Sequence, residues 1–295
     1  LKNLVVHCKA ISATALQRAE SEALTPLPGY THMQRAMVSS LGMWWGAWAE
    51  GFIDNAMRAN QAIELIDANP LGSASGFGVN LELDREFCTQ QLGFARTQQI
   101  ATYAQLSRGK YEIAALDALL SAMGDLRRLA WDLSLFTSSE FGFVTLPAEY
   151  LTGSSLMPNK RNPDLIELLR ASYAVVSGAR SELEQLLSLP SGYHRDLQFT
   201  KAPVMRGFSH GLAALSLLPN LLASMAWNET AIQNALEPSL HATDIALELS
   251  VQGMPFREAY QQAADPQLWE NRTAVESLKA RVSEGSGINL GLEKL

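Results

Sequence analysis

Between Tyr111 and Leu133 the residues Leu116, Leu119, Met123, Leu126, Ala130 and Leu133 recur at alternating steps of three and four. That interval keeps them on one face of an α-helix, a seam of the coiled-coil kind, and predicts a long helix buried along it. Ile166, Leu169, Tyr173, Val176, Leu183 and Leu187 repeat the pattern, with Arg180 at one core-type position. A third long helix is expected from Gln34 to Asp67, through Met37, Leu41, Trp44 and Trp48. Its Gly42, Gly46 and Ala49 are small enough for another helix to approach closely. A fourth follows Pro203 and runs to Leu236, with a kink at Pro219. Strand signals are almost absent, and the glycine-rich stretch 69–80 (NPLGSASGFGVN) reads as a loop. The expected fold class is therefore all-α, a bundle of long helices. Composition shifts at 237–243 (EPSLHAT), and the shorter patterns LELSVQG and PFREAYQQAA follow, separated by Gly253 and Pro255. This divides the chain into a central helical bundle over 1–236 and a small helical C-terminal domain over 237–295.

The balance of residue types narrows the function classes. Hydrophobic residues make up 47% of the 295 and charged residues 18%, a globular composition with material for a substantial core. A net charge of -7 argues against nucleic acid as the main partner, while leaving a local basic cluster free to bind an anion. Cys8 and Cys88 have no metal-ligand spacing and the five histidines form no H-x-x-x-H pair, so neither a zinc site nor a disulfide framework is expected. A reduced, cytoplasmic setting is the matching expectation. The longest apolar stretch, LAALSLLPNLLASMAW, is interrupted by Pro219 and Asn220, so no membrane span is expected, and no signal peptide is seen. The sequence opens at Leu1 inside a helical pattern, which leads to the expectation that a segment normally precedes it.

Four polar islands break the helical background. In TPLPGYTHMQ (25–34), Thr31 and His32 stand just ahead of an expected helix, either as a loop with Thr31 for an N-cap or as an anion site. NPLGSASGFG offers either a turn or a nest of backbone N–H groups able to hold a carboxylate. In TGSSLMPNKRNPD (152–164), Asn162 and Pro163 have the form of an N-cap and first helical residue. Ahead of them a flexible glycine, two hydroxyls (Ser154, Ser155) and two cations (Lys160, Arg161) gather at the positive end of the helix dipole. That set suits a dianionic substrate and an activated hydroxyl. SGYHRDLQFTK (191–201) is either a solvated connector or a binding segment built from Tyr193, His194, Arg195, Gln198 and Lys201.

Together these islands resemble the argininosuccinate lyases of the fumarase/aspartase superfamily. PGYTHMQ is similar to the family's Thr-His segment, GSSLMPNKRNPD to the superfamily signature loop, and SGYHRDLQFTK to the lyase's tyrosine–glutamine–lysine segment. ATDIALELSVQGMPFREAY (242–260) is similar to its C-terminal domain, so the resemblance spans nearly the whole chain. The signature loop alone marks the superfamily; the other segments point to argininosuccinate lyase. There are departures. Asn159-Lys160-Arg161 replaces a common Gln-Lys-Lys, and Lys-Arg-Asn-Pro also occurs in adenylosuccinate lyases. Phe199 and Thr200 replace a common acidic pair, and nothing in Leu1 to Ala23 matches the family's N-terminal arginine-serine-arginine-asparagine-aspartate motif.

The resemblance implies cleavage of argininosuccinate to arginine and fumarate, without metal or organic cofactor. It implies Ser154 as the base, acting as an alkoxide, with Lys160 and Asn162 binding a carboxylate and organising the loop. His32, paired with Glu167, would position or protonate substrate; Thr31 would bind a carboxylate; Tyr193, Gln198 and Lys201 would grip the other end. It further implies a homotetramer in which three chains build each active site, an assembly to which the crowded Trp44, Trp45 and Trp48 would contribute apolar surface. Because the N-terminal motif is missing, the polypeptide by itself is expected to be inactive and its full-length parent active. The competing readings are a sister enzyme such as adenylosuccinate lyase, or a non-catalytic crystallin-like structural homologue.

Overall fold

The computed structural model describes residues 1–295. In chain order its elements are α1 (Lys2–Ser21), β1 (Pro26–Thr31), β2 (Gln34–Ser40), α2 (Leu41–Ile66), β3 (Ala68–Asn69), α3 (Arg85–Leu92), β4 (Arg96–Thr97), α4 (Tyr103–Leu106), α5 (Lys110–Phe136), β5 (Val144–Thr145), α6 (Asp164–Leu186), α7 (Lys201–Ser224), β6 (Ala226–Trp227), α8 (Glu229–Ala235), α9 (Ala242–Val251), α10 (Phe256–Gln262) and α11 (Ala274–Ala280). Helix dominates, as the apolar periodicity requires. The strands form three separate pairs, β1–β2 and β5–β6 antiparallel and β3–β4 parallel. The chain divides into two compact units. The first comprises Leu1–Ala10, Phe52–Trp131 and Asp164–Leu218; the second comprises Ile11–Gly51, Asp132–Pro163 and Pro219–Leu295.

In the first unit, the α5 seam residues Leu116, Leu119, Met123 and Leu126 and the α6 residues Ile166, Leu169, Val176 and Leu183 are buried, as their spacing predicts. A Cβ added at Gly207 of α7 would lie 2.8 Å from Leu116, and one at Gly211 would lie 2.9 Å from Leu119. These two small residues, one turn apart, let α7 lie close to α5. Arg180 occupies its core-type position by pairing with Asp117 at 3.0 Å. Cys8 is fully buried, and burial, reinforced by the Asp125 charge, pushes its thiol up to about 12, which leaves it inert as a nucleophile.

The second unit corrects three expectations. The third helix does not begin at Gln34: residues 34–40 are strand β2, and α2 starts only at Leu41. Pro26 and Pro28 keep the preceding segment extended, β1 gives β2 an edge to pair with, and the Ser40 hydroxyl then accepts the Met43 N–H at 3.1 Å as the helix N-cap. Gly42 and Gly46 are approached by short segments, in the case of Gly46 the 3₁₀ turn Leu292–Lys294. A Cβ on Gly42 would lie 2.6 Å from Ala23 Cα, and one on Gly46 3.3 Å from Leu292, so the α1–β1 connection and the C-terminal segment use that space. The fourth helix, α7, continues through Pro219 but stops at Ser224 instead of reaching Leu236. Arg18 takes the carbonyls of Leu222 and Met225 at 3.1 and 3.0 Å, and Asn228 caps the separate helix α8.

The tryptophans pack within the chain. Trp44 and Trp45 meet Trp227 edge-on at centroid distances of 5.5 and 6.0 Å, and Phe136 joins them. Trp45 is fully buried, and its indole N–H, like that of Trp227, donates to Glu22. Trp45 thus belongs to the core of the second unit, while Trp44 and Trp48 are half-buried.

Candidate active site

The segment 152–162 is a loop closed at its neck. Thr152 and Asn162 exchange backbone hydrogen bonds at 3.0 and 2.9 Å, and the Asn162 side-chain amide lies 3.5 Å from the Gly153 carbonyl. Helix α6 begins at Asp164, so Asn162 closes the loop instead of capping the helix as expected. Within the loop, Ser154 Oγ accepts the backbone N–H groups of Leu156 at 3.3 Å and Met157 at 3.0 Å. Hydrogen bonds received by an oxygen favour its charged form. This is the means by which a serine, a weak base in water, can be poised as an alkoxide. Ser154 is half-buried, whereas residues 155–161, Lys160 included, are exposed and project the basic pair into solvent.

Thr31 and His32 sit at the tip of the β1–β2 hairpin. Thr31 pairs with Gln34, which leaves His32 and Met33 as a two-residue turn. Both have left-handed backbones, with φ of 53° and 61°. Such turns usually employ Asn-Gly, because a side chain in this region costs about 1–2 kcal/mol per residue. A histidine retained there at that cost presents its ring at an exposed apex, and strain of this kind is concentrated at functional positions. A register shift between Gly29 and Tyr30 bends the hairpin below its tip. Cavities of about 640 and 450 Å³ adjoin the hairpin; Met33 lines both and His32 the smaller, and neither is lined by the Ser154 loop.

In the first unit, 191–201 folds into a short 3₁₀ turn (Arg195–Thr200) leading into α7. It joins three expected residues directly: Gln198 Nε2 donates to the Tyr193 hydroxyl at 3.0 Å, and Lys201 Nζ donates to Gln198 Oε1 at 3.2 Å. The turn is held from below by residues the sequence reading missed. Arg108 donates to the Leu197 carbonyl at 3.3 Å, and Thr200 Oγ1 to Glu112 at 3.4 Å, while Glu112 also accepts the Gly109 N–H at 2.7 Å. The sequence signal for this brace is the Arg-Gly-Lys-x-Glu run at the head of α5, which apolar periodicity passes over. Glu167 is exposed on α6, and neither its side chain nor that of His32 makes a hydrogen bond or ion pair within the chain. The stretch 69–80 is a turn-rich loop whose Leu71 carbonyl is held by Arg85 at 2.9 Å.

The architecture and these motifs have close relatives. A family model described as Lyase matches residues 1–178. The chain is 60% identical, over 297 aligned residues, to the argininosuccinate lyase of Xanthomonas oryzae pv. oryzae, covering 100% of this chain and 69% of that protein. It is 60% identical over 287 residues to that of Stenotrophomonas maltophilia, covering 97% of this chain and 67% of the relative. Among solved structures, an EDDS lyase in complex with formate superposes with a TM-score of 0.85 at 19% identity, over 99% of this chain and 67% of that one. A 3-carboxy-cis,cis-muconate lactonizing enzyme from Pseudomonas putida superposes at 0.76 with 20% identity, over 99% of this chain and 67% of that one. The two superpositions speak for the fold; the sequence identity over the whole chain shows that it belongs to the argininosuccinate lyase family of the fumarase/aspartase superfamily.

Proposed function

We propose that this protein cleaves argininosuccinate to arginine and fumarate by β-elimination. Ser154, as an alkoxide, takes a proton from the carbon beside a carboxylate. The electron pair left behind forms the double bond of fumarate, the C–N bond breaks, and the departing guanidino nitrogen takes a proton to give arginine. Every atom of the products comes from substrate and exchanged protons, so the reaction as written calls for no metal and no organic cofactor. The observation that carries the reading is the pair of backbone N–H groups aimed at Ser154 Oγ in a neck-closed loop.

The remaining roles follow from the charge that must be held. Proton removal pushes negative charge onto a carboxylate, and fixed donors stabilise it. Lys160 and Asn162 supply a cation and an amide on the Ser154 loop, and Thr31 a hydroxyl at the hairpin tip. Tyr193, Gln198 and Lys201, already linked to one another, grip the arginine end. His32, oriented by Glu167, positions the substrate or protonates the leaving nitrogen. The proposal includes a homotetramer with shared sites. It is supported by the exposure of His32 and Glu167, whose side chains have no partners in their own chain, and by the exposed apolar side chains Phe199 and Met205 in and just beyond the substrate segment. A cytoplasmic location fits the two free cysteines, and no helix is long and apolar enough to cross a membrane. Residues 237–295 serve as the small C-terminal helical domain.

The test is fumarate release by the intact natural protein that carries this sequence, offered argininosuccinate and adenylosuccinate separately. Turnover of the first alone, and its loss by about a hundredfold or more in Ser154→Ala with assembly unchanged, is the expected result. Selective turnover of adenylosuccinate, or a fully active Ser154→Ala variant, would overturn it.

A further inference from the structure

The strained tip at His32 and Met33 is joined to a buried ion pair at the base of its hairpin. Arg281, just past the end of α11, donates Nε and Nη2 to the two carboxylate oxygens of Asp244 on α9, both at 3.0 Å. Its remaining terminal nitrogen donates to the backbone carbonyl of Val38 in β2. Asp244 is 5% exposed. Around this point Val38, Leu240 and Leu278 form a buried apolar cluster, with Leu236 and Ala274 against it. Arg35, nearer the tip, pairs with Glu237. Both strand contacts therefore draw β2 onto the segment that follows α8.

Val38 pairs with Pro28, four residues of β1 below His32, or about 13 Å at the usual strand rise. A left-handed His-Met turn does not hold itself; it persists where the surrounding structure over-determines it. The planar guanidinium suits this task, since it satisfies a carboxylate with one edge and fixes a backbone carbonyl with the other. Lysine, a single point charge on a flexible stem, cannot reproduce both sets of bonds.

We propose that Arg281, set by Asp244, is a positioning residue for the reaction: it fixes the base of the β1–β2 hairpin and thereby the placement of Thr31 and His32. The inference rests on the elimination chemistry proposed above for His32.

The experiment is a double-mutant cycle in the intact natural protein, with His32→Ala, Arg281→Lys and the combination, alongside hydrogen exchange of the Tyr30–Met37 peptide. Arg281→Lys is expected to lower kcat by about tenfold to a hundredfold with KM changed less than about twofold, because misplacement of a reacting group acts on the chemical step. In the His32→Ala background the same change is expected to be nearly silent. Exchange in the hairpin peptide should quicken while the α5 peptides stay protected. Asp244→Asn serves as the second variant, expected to move the same readouts if Arg281→Lys does not fold. Equal loss in both backgrounds, or unchanged hairpin exchange, overturns the inference. If the parent does not cleave argininosuccinate but the hairpin loosens in Arg281→Lys, the functional reading has failed and the structural coupling stands.

Discussion

Gln198 donates its side-chain amide to the Tyr193 hydroxyl across 3.0 Å, and its carbonyl oxygen accepts Lys201 Nζ at 3.2 Å. One planar amide thus sets the positions of a phenol and an ammonium from opposite ends. Gln198→Leu, similar in size and unable to bond either neighbour, should raise KM for argininosuccinate and lower kcat/KM by about tenfold to a hundredfold, the worth of one or two hydrogen bonds to charged groups. Tyr193→Phe, which leaves the Gln198–Lys201 bond in place, should cost less. Steady-state kinetics decides it: a Gln198→Leu enzyme with unchanged KM removes this residue from substrate binding.

Glu22 joins three elements of the second unit. Its carboxylate accepts the indole N–H groups of Trp45 at 2.7 Å and Trp227 at 2.9 Å, and pairs with Arg18 at 2.7 Å. Glu22→Ala strands two largely buried donors and frees the arginine that caps α7, a loss of about 2–4 kcal/mol. Thermal unfolding should show a midpoint lower by roughly 5–10 °C. Glu22→Gln, which keeps an acceptor oxygen, should fall between the two, and a midpoint within 1–2 °C or so of the parent for Glu22→Ala would contradict the assignment.

His241 introduces a pH dependence. Its ring is buried, with Nδ1 2.8 Å from Ser277 Oγ. Burial lowers its pKa from the ordinary 6.5, the nearby Arg272 and Arg281 charges lower it further, and Asp244 and Glu276 act in the opposite sense. The unfolded chain therefore takes up this proton before the folded one. The stability associated with neutral His241 is complete above pH 6.5 and declines as pH falls below it toward the depressed folded value. His241→Gln should lose less stability than the parent between pH 7.5 and 5.0 or so, as measured by denaturant unfolding at each pH. Identical pH dependence in the two proteins would exclude this role.

The long helices were readable because their apolar residues repeat with the helix period over many turns. Leu116 to Leu133 on α5 and Ile166 to Leu183 on α6 lie where the spacing puts them, buried almost without exception. The Ser154 loop stood out as well, since glycine, two serines, a lysine, an arginine and two asparagines interrupt the apolar helical runs on either side of it. The hairpin did not. Residues 34–40 carry no strong alternation, and the choice of strand over helix depends on β1, whose prolines exclude helix and whose free edge supplies the hydrogen bonds.

Periodicity thus determines from residues alone that the fold is helical, and the order of the motifs gives the resemblance to the lyases and the side chains proposed to carry the chemistry. Which groups those side chains meet was decided by tertiary structure. Arg281 reaches Val38 across 243 positions of sequence, and Trp227 reaches Glu22 across 205. Nothing local to Val38 marks its carbonyl as the acceptor, and nothing local to His32 shows that its turn is left-handed. Both are consequences of chain closure, in which distant segments satisfy one another's polar groups as their apolar faces are buried.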